Sequence, residues 1–247
     1  MKINAHNNLN DEILFSIVVP LYNEEKYIGS CLEHAKNQQG DFNYDIIAVD
    51  NGSTDMSNQI VRSKGASLVK EDKRGVGSAR KKGAEVAQGK YIVQIDADTN
   101  LPCDFLQQAL KRFEEDENLA CLGGQFYFYD GSILKNAACV VFFRPILFFA
   151  KIASFNKVGP IGNGMVFKKE LYDKTRGFDE NLKFGEDADL TRRLSEFGKI
   201  KVDCSLRYFV SSRRFKLNIK LAVLAWNFVK MCFGRQTNYL PPRTNEL

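Results

Sequence analysis

A chain of 247 residues with 44% hydrophobic and 26% charged content is long enough to bury a full core and has the make-up of an ordinary globular protein. The first fifteen residues hold no continuous apolar run, so no secretory signal is expected, and six scattered cysteines with only His6 and His34 make neither a disulfide framework nor a zinc site. The net charge of +5 is uneven: from residue 205 onward eight basic residues face one acid, +7, which leaves −2 for the first 204 and points to an anionic partner such as phosphate or a membrane surface. Nucleic acid is not an expected partner, because no helix-turn-helix, zinc-finger or RNP-like pattern accompanies the charge.

In chain order, short β-branched runs alternate with helical patterns. Strands are predicted over 15–20, 44–50, 66–71 and 91–98, with helices between them over 23–38, 53–65 and 74–89. That alternation implies βαβ units and a mainly parallel sheet with right-handed crossovers. In such sheets ligands bind at the carboxyl ends of the strands. Here those ends read PLYNEE, DNGSTD, EDKRG and DADTN, all polar and rich in turn formers. The second half is less regular: a helix over 104–116, a strand over 120–130, an aromatic-rich stretch over 132–156, a Gly-rich segment over 159–169 and an acidic helix start within 184–198.

The stretch YIVQIDADTNLP (91–102) ends an apolar strand with Asp96-Ala97-Asp98. In an extended backbone residues i and i+2 point the same way, so the two carboxylates are expected to converge and to need a cation or a proton between them. Read alone, the same pair is an ordinary solvated turn after a strand, and the rest of the sequence has to decide.

Five segments, SIVVPLYNEEKYIGSCL, VDNGSTD, RGVGSARKKGAEVAQGKYIVQIDAD, GNGMVFKKELYDKTRGFDE and GEDADLTRRL, resemble the family 2 glycosyltransferases over about residues 16–214. The resemblance implies the α/β GT-A fold, a Rossmann-like nucleotide-binding half joined to an acceptor-binding half. It also implies transfer of a sugar from a nucleoside diphosphate donor, a UDP- or GDP-sugar, to a saccharide or lipid-linked acceptor, with inversion and a divalent cation. Carboxylate oxygens suit Mg²⁺ or Mn²⁺, which neutralises the charge that develops on a departing diphosphate.

By resemblance, Asp98 ligates the metal, while Asp96 supports it or holds the ribose, with Ala97 between them in the same site. Pro20, Tyr22 and Glu24, on the first loop, line the nucleoside pocket, and Asp50 binds the base. Arg74 and Arg80 are candidates for the nucleotide or its phosphates. Asp187, preceded by Glu186, is the general base that activates the acceptor, and Asn163 contacts the transferred sugar or the acceptor. Some relatives add a late histidine ligand that this sequence lacks; Arg213 and Arg214 stand in that neighbourhood and could grip the diphosphate. Each residue also has a structural reading: Asp50 an Asx turn, Asn163 a left-handed turn residue, Glu186 and Asp187 helix-dipole partners, Arg213 and Arg214 a solvated basic face.

The expected division is an N-terminal extension over 1–15, a catalytic domain over 16–216 and a basic, apolar helix and tail over 217–247. Two apolar stretches, 137–153 and 217–233, are interrupted by Arg144-Pro145 and by Lys220 and Lys230, so neither reads as a membrane span. Both suit either an interfacial helix or ordinary core with a C-terminal packing helix. A cytoplasmic protein is expected, with peripheral attachment to the membrane as one of the two readings. Two other function classes remain: a sugar nucleotidyltransferase, disfavoured because VVPLYNEE lacks the glycines of a phosphate loop, and a non-catalytic sugar-nucleotide-binding protein, which would typically have lost Asp96, Asp98 or Asp187.

Overall fold

In the computed structural model, which describes residues 12–138, 141, 163–182 and 185–214, the first half alternates strictly. The order is β1 (Ile13–Leu21), α1 (Ile28–Lys36), β2 (Asn43–Asp50), α2 (Ser57–Ser63), β3 (Ser67–Lys70), α3 (Val76–Val86) and β4 (Tyr91–Gln94). The second half adds β5 (Thr99–Asn100), α4 (Phe105–Glu115), β6 (Leu119–Phe128), α5 (Ile133–Ala138), β7 (Met165–Lys168), α6 (Lys169–Asp173), α7 (Glu186–Leu194) and β8 (Lys199–Val210). A 3-10 turn, Ser212–Arg214, closes the described chain.

The strands form one eight-stranded sheet in the order β3-β2-β1-β4-β7-β6-β8-β5. Pairs β2/β3, β1/β2, β1/β4 and β6/β8 are parallel, whereas β4/β7, β6/β7 and β5/β8 are antiparallel. Alternation along β1 sends Phe15, Ile17 and Val19 to one face, against Ile28, Leu32 and Ala35 of α1 and Phe105 and Leu106 of α4. Val18 points to the other face, where it meets Ala79 and Ala84 of α3 in a cluster that also holds Leu190 and Leu194 of α7. Helices therefore cover both faces, as expected. Helix α3 sits unusually close: a Cβ placed on Gly83 would come within 2.2 Å of Val18 Cγ1. That approach lets the preceding turn of α3, which carries Arg80, reach the carboxyl ends of the strands.

Two expectations need correction. The strand expected over 91–98 ends at Gln94, where its pairing with Val18 and Met165 ends. The chain then turns, with the Thr99 N–H donating to Asp96 O at 3.0 Å, so the i, i+2 argument does not apply to Asp96 and Asp98. Pro20 lies inside β1 and is buried, not on the loop. It sits beyond the last β4 partner of β1, Val18↔Gln94, where its missing N–H removes no bond to that neighbour.

Strands β7 and β8 were not foreseen. The first hides in the Gly-rich 159–169 and the second in 199–210. No helix among the described residues is long and apolar enough to cross a membrane. The tail over 217–247, most of 137–153, residues 1–11 and the Arg214 side chain lie outside the described residues.

Candidate active site

Strand register assembles one polar edge. The β1/β2 ladder ends with Leu21 opposite Asp50, and Asn51 N–H donates to Leu21 O at 3.0 Å, so the loops after β1 and β2 begin side by side. They are then laced together. Asn23, whose φ of 55° places it in the left-handed region, donates from its N–H to Ser53 Oγ and accepts from Thr54 N–H. Glu24 N–H donates to Ser57 Oγ at 2.8 Å.

Asp50 is buried; its Oδ1 accepts from Ser53 N–H at 2.8 Å and its Oδ2 from Asn58 Nδ2 at 3.0 Å, the turn geometry foreseen for it. Arg74 donates to the carbonyls of Asn51 and Gly52 and lies 4.9 Å from the centroid of the Tyr22 ring, so it pins the second loop against the first. Asn51, which the sequence reading passed over, ties the same region: its amide donates to Glu71 O and Lys73 O and its oxygen accepts from Gly75 N–H.

The β4/β7 register places Gln94 opposite Met165. Continuing the antiparallel count brings Asn163 beside Asp96. Its Oδ1 accepts from Thr99 Oγ1 at 2.8 Å and from Asp96 N–H at 3.3 Å, so the Asn163 side chain props the aspartate turn. Gly164 follows with φ of 69°, and a Cβ there would lie 2.3 Å from the Tyr208 ring. Ala97 is buried in the core beneath the turn, so its methyl faces protein.

The β5/β8 register pairs Thr99 with Val210, and Ser211 N–H reaches Asp98 O at 3.2 Å. This carries Arg213 to the turn. Its Nε donates to Asp98 Oδ2 at 2.8 Å and its Nη2 to Glu24 Oε1 at 2.7 Å. Asp130, another residue not foreseen, holds the Ser212–Arg214 turn by accepting from Ser211 Oγ and Ser212 N–H.

Arg80 links the aspartate turn to α7. Its Nη2 donates to Asp96 Oδ1 at 3.0 Å and its Nη1 to Glu186 Oε1. The Arg80 and Glu186 side chains are 7% and 6% exposed. Burial works against the guanidinium's charge, but Glu186, Asp96 and Asp187 outweigh it and keep it firmly protonated. Burial pushes the Glu186 carboxyl up and Arg80 opposes it, the net direction being upward. Asp187, next in the helix, is also buried, and its Oδ1 accepts from Ala188 N–H at 2.8 Å. Asp189 turns away, to Arg193.

Glu24, Asp96, Asp98, Glu186 and Asp187 thus surround two guanidiniums, Arg80 and Arg213. Five carboxylates are gathered at one sheet edge with the two guanidiniums. An all-oxygen, acid-rich donor set suits a hard divalent cation such as Mg²⁺ or Mn²⁺. No three His, Cys, Asp or Glu side chains among the described residues are grouped to enclose one.

Comparison with known proteins bears on the family and the fold. The family model described as Glycosyl transferase family 2 matches residues 16–175. A chondroitin synthase of Escherichia coli is 29% identical over 196 residues, 76% of this chain and 27% of that protein. The chain spans between 19% and 27% of the length of the first curated relatives it matches. Among solved structures, a mannosyltransferase from Pyrobaculum calidifontis in complex with GDP-Man and Mn²⁺ superposes with a TM-score of 0.70 at 21% identity, covering 94% of this chain and 66% of that one. S. aureus TarS 1–349 in complex with UDP-GlcNAc gives 0.64 at 20% identity, covering 92% and 68%. The fold is the GT-A arrangement.

Proposed function

The chain belongs to glycosyl transferase family 2, and on that premise we propose that it transfers a sugar from a UDP- or GDP-sugar to a hydroxyl of a saccharide or lipid-linked saccharide, inverting the anomeric centre. The observation that carries this reading is the meeting of Glu24, Asp96 and Asp98 with Glu186 and Asp187 around two buried or half-buried arginines at one sheet edge. The relative named chondroitin synthase supports a saccharide acceptor.

In this reading the laced loops after β1 and β2 hold the nucleoside, with the Tyr22 ring and the Asp50 carboxylate facing it. Asp98, supported by Asp96, would hold a divalent cation, which when bound supplies charge neutralisation for the departing diphosphate. Asn163 keeps the Asp96 to Thr99 turn in shape through its two hydrogen bonds. Asp187 takes the acceptor proton as the hydroxyl attacks, and Arg80 fixes its helix start against the donor side. The basic, apolar sequence of 217–247 supports attachment to an anionic membrane surface, where a lipid-linked acceptor would reside.

The test is product formation. Wild-type protein is incubated with UDP- and GDP-sugars, Mn²⁺ and a saccharide panel, and mass spectrometry follows nucleoside diphosphate release and glycosylated product. Asp187→Asn should leave donor affinity within a few-fold while transfer falls roughly 10²-fold or more, the scale of a lost general base. Near-normal transfer by Asp187→Asn, or a product with retained configuration, would remove Asp187 from that role.

A further inference from the structure

Arg213 is held in the site from three sides. Besides its bonds to Asp98 and Glu24, its Cζ lies 4.0 Å from the centroid of the Tyr27 ring. Its side chain is 18% exposed, while those of Glu24 and Asp98 are 5% and 6% exposed. Two nearly buried carboxylates therefore converge on one guanidinium that the β5/β8 register and the Asp130-bound turn deliver to them. This is not the geometry of an arginine waiting for phosphate, because its Nε and Nη2 are both engaged by carboxylates.

We propose that Arg213 is a resident countercation for Asp98 and Glu24, and that it leaves Asp98 for the diphosphate when a divalent cation and a nucleoside diphosphate bind together. This rests on the reading of Asp98 as the metal-binding carboxylate of a nucleotide-sugar site. The guanidinium and a divalent cation compete for the same carboxylate. Metal alone must displace Arg213 from Asp98 and leave its Nε without a carboxylate partner, so it binds weakly. With the diphosphate present, the released guanidinium regains a bidentate anionic partner. Metal and nucleotide are then positively coupled, each raising the other's affinity by the same factor.

The prediction has a sign that a simple phosphate clamp does not share. Free Mn²⁺, measured by electron paramagnetic resonance, is titrated against the full chain without nucleotide and with UDP or GDP. The proteins are wild type, Arg213→Gln and Arg213→Lys, each checked for a native circular dichroism spectrum. Arg213→Gln should bind Mn²⁺ alone about fivefold or more tightly than wild type, and the gain in Mn²⁺ affinity caused by the nucleotide should shrink by a similar factor. Arg213→Lys, which keeps the charge but not the fork, should fall between the two; if Arg213→Gln does not fold, a gain in Mn²⁺ affinity by Arg213→Lys decides the matter. Unchanged or weaker Mn²⁺ binding by the folded variants, with wild-type coupling intact, overturns the countercation role alone. Absence of any coupling between Mn²⁺ and either nucleotide in wild type overturns the underlying reading, and this inference with it.

Discussion

Replacing Arg80 with Met tests whether one buried guanidinium holds the two halves of the site together. Arg80 is 7% exposed and Glu186, its partner, 6%, so the substitution leaves a carboxylate buried with no countercation beside the Asp96 and Asp187 carboxylates. Removing one member of a buried pair costs about 3–5 kcal/mol, far more than the ~0–1 kcal/mol of a surface pair. For a domain of this size that corresponds to a melting temperature lower by roughly 6–20 °C. The cost should depend on pH in a definite direction. Burial already pushes the Glu186 carboxyl up against the opposing pull of Arg80, and without Arg80 it rises further. A carboxyl raised in the folded state favours folding below its unfolded value, ~4.3, and loses that contribution as pH climbs through the raised value. The deficit of Arg80→Met relative to wild type should therefore be largest near pH 7 and shrink toward pH 4.5. Adding Glu186→Gln should recover more than half of it at pH 7. Urea melts of wild type, Arg80→Met and the double variant at both pH values decide the matter. A variant within about 1 kcal/mol of wild type at pH 7, or a deficit equal at both pH values, would refute the reasoning.

Other consequences follow from sites further away. Burial raises the Asp203 carboxyl, but the Ser205 hydroxyl and the Arg112 guanidinium outweigh it and hold it well below the ordinary range. Asp203→Asn should cost about 1 kcal/mol at pH 7, and that cost should fade as pH drops below ~4, because a depressed carboxyl gives up its contribution on protonation; a constant difference in urea melts across pH 7 to 3.5 would remove the pair from the account. Removing residues 217–247 should weaken sedimentation with anionic liposomes at low salt, and wild-type protein that does not sediment with them would end the membrane proposal.

The sequence made the first half of the fold legible because period-2 apolar runs and helical spacing alternate there without interruption. It failed where long-range pairing decides. The run over 199–210 does alternate, with Ile200, Val202, Leu206, Tyr208 and Val210 on one side, and counting that period would have found β8; its charged residues hid it. The aspartate turn was misread as a strand because nothing local to YIVQIDAD says that its partners stop at Val18 and Met165. Candidate site residues at and after strand ends, such as Asp50 and Glu24, were findable because the topology puts such ends together. Asp130 carried no local signal, since its role exists only once β8 returns beside β6. Arg80 was expected to serve the nucleotide or its phosphates and Arg213 the diphosphate. Their bonds to the carboxylates of the same edge carried no signal in the sequence, because α7 and β8 bring those partners together only in the fold.

The central claim, a metal-dependent nucleoside diphosphate site built on the Asp96 to Asp98 turn, is tested most directly by calorimetric titration of UDP and GDP into wild type and Asp98→Asn, with Mn²⁺ and with EDTA. One of the two nucleotides should bind wild type at least about tenfold more tightly with Mn²⁺ than with EDTA, and Asp98→Asn should lose most of that difference. Equal binding in Mn²⁺ and EDTA, or a full metal effect in Asp98→Asn, would contradict it.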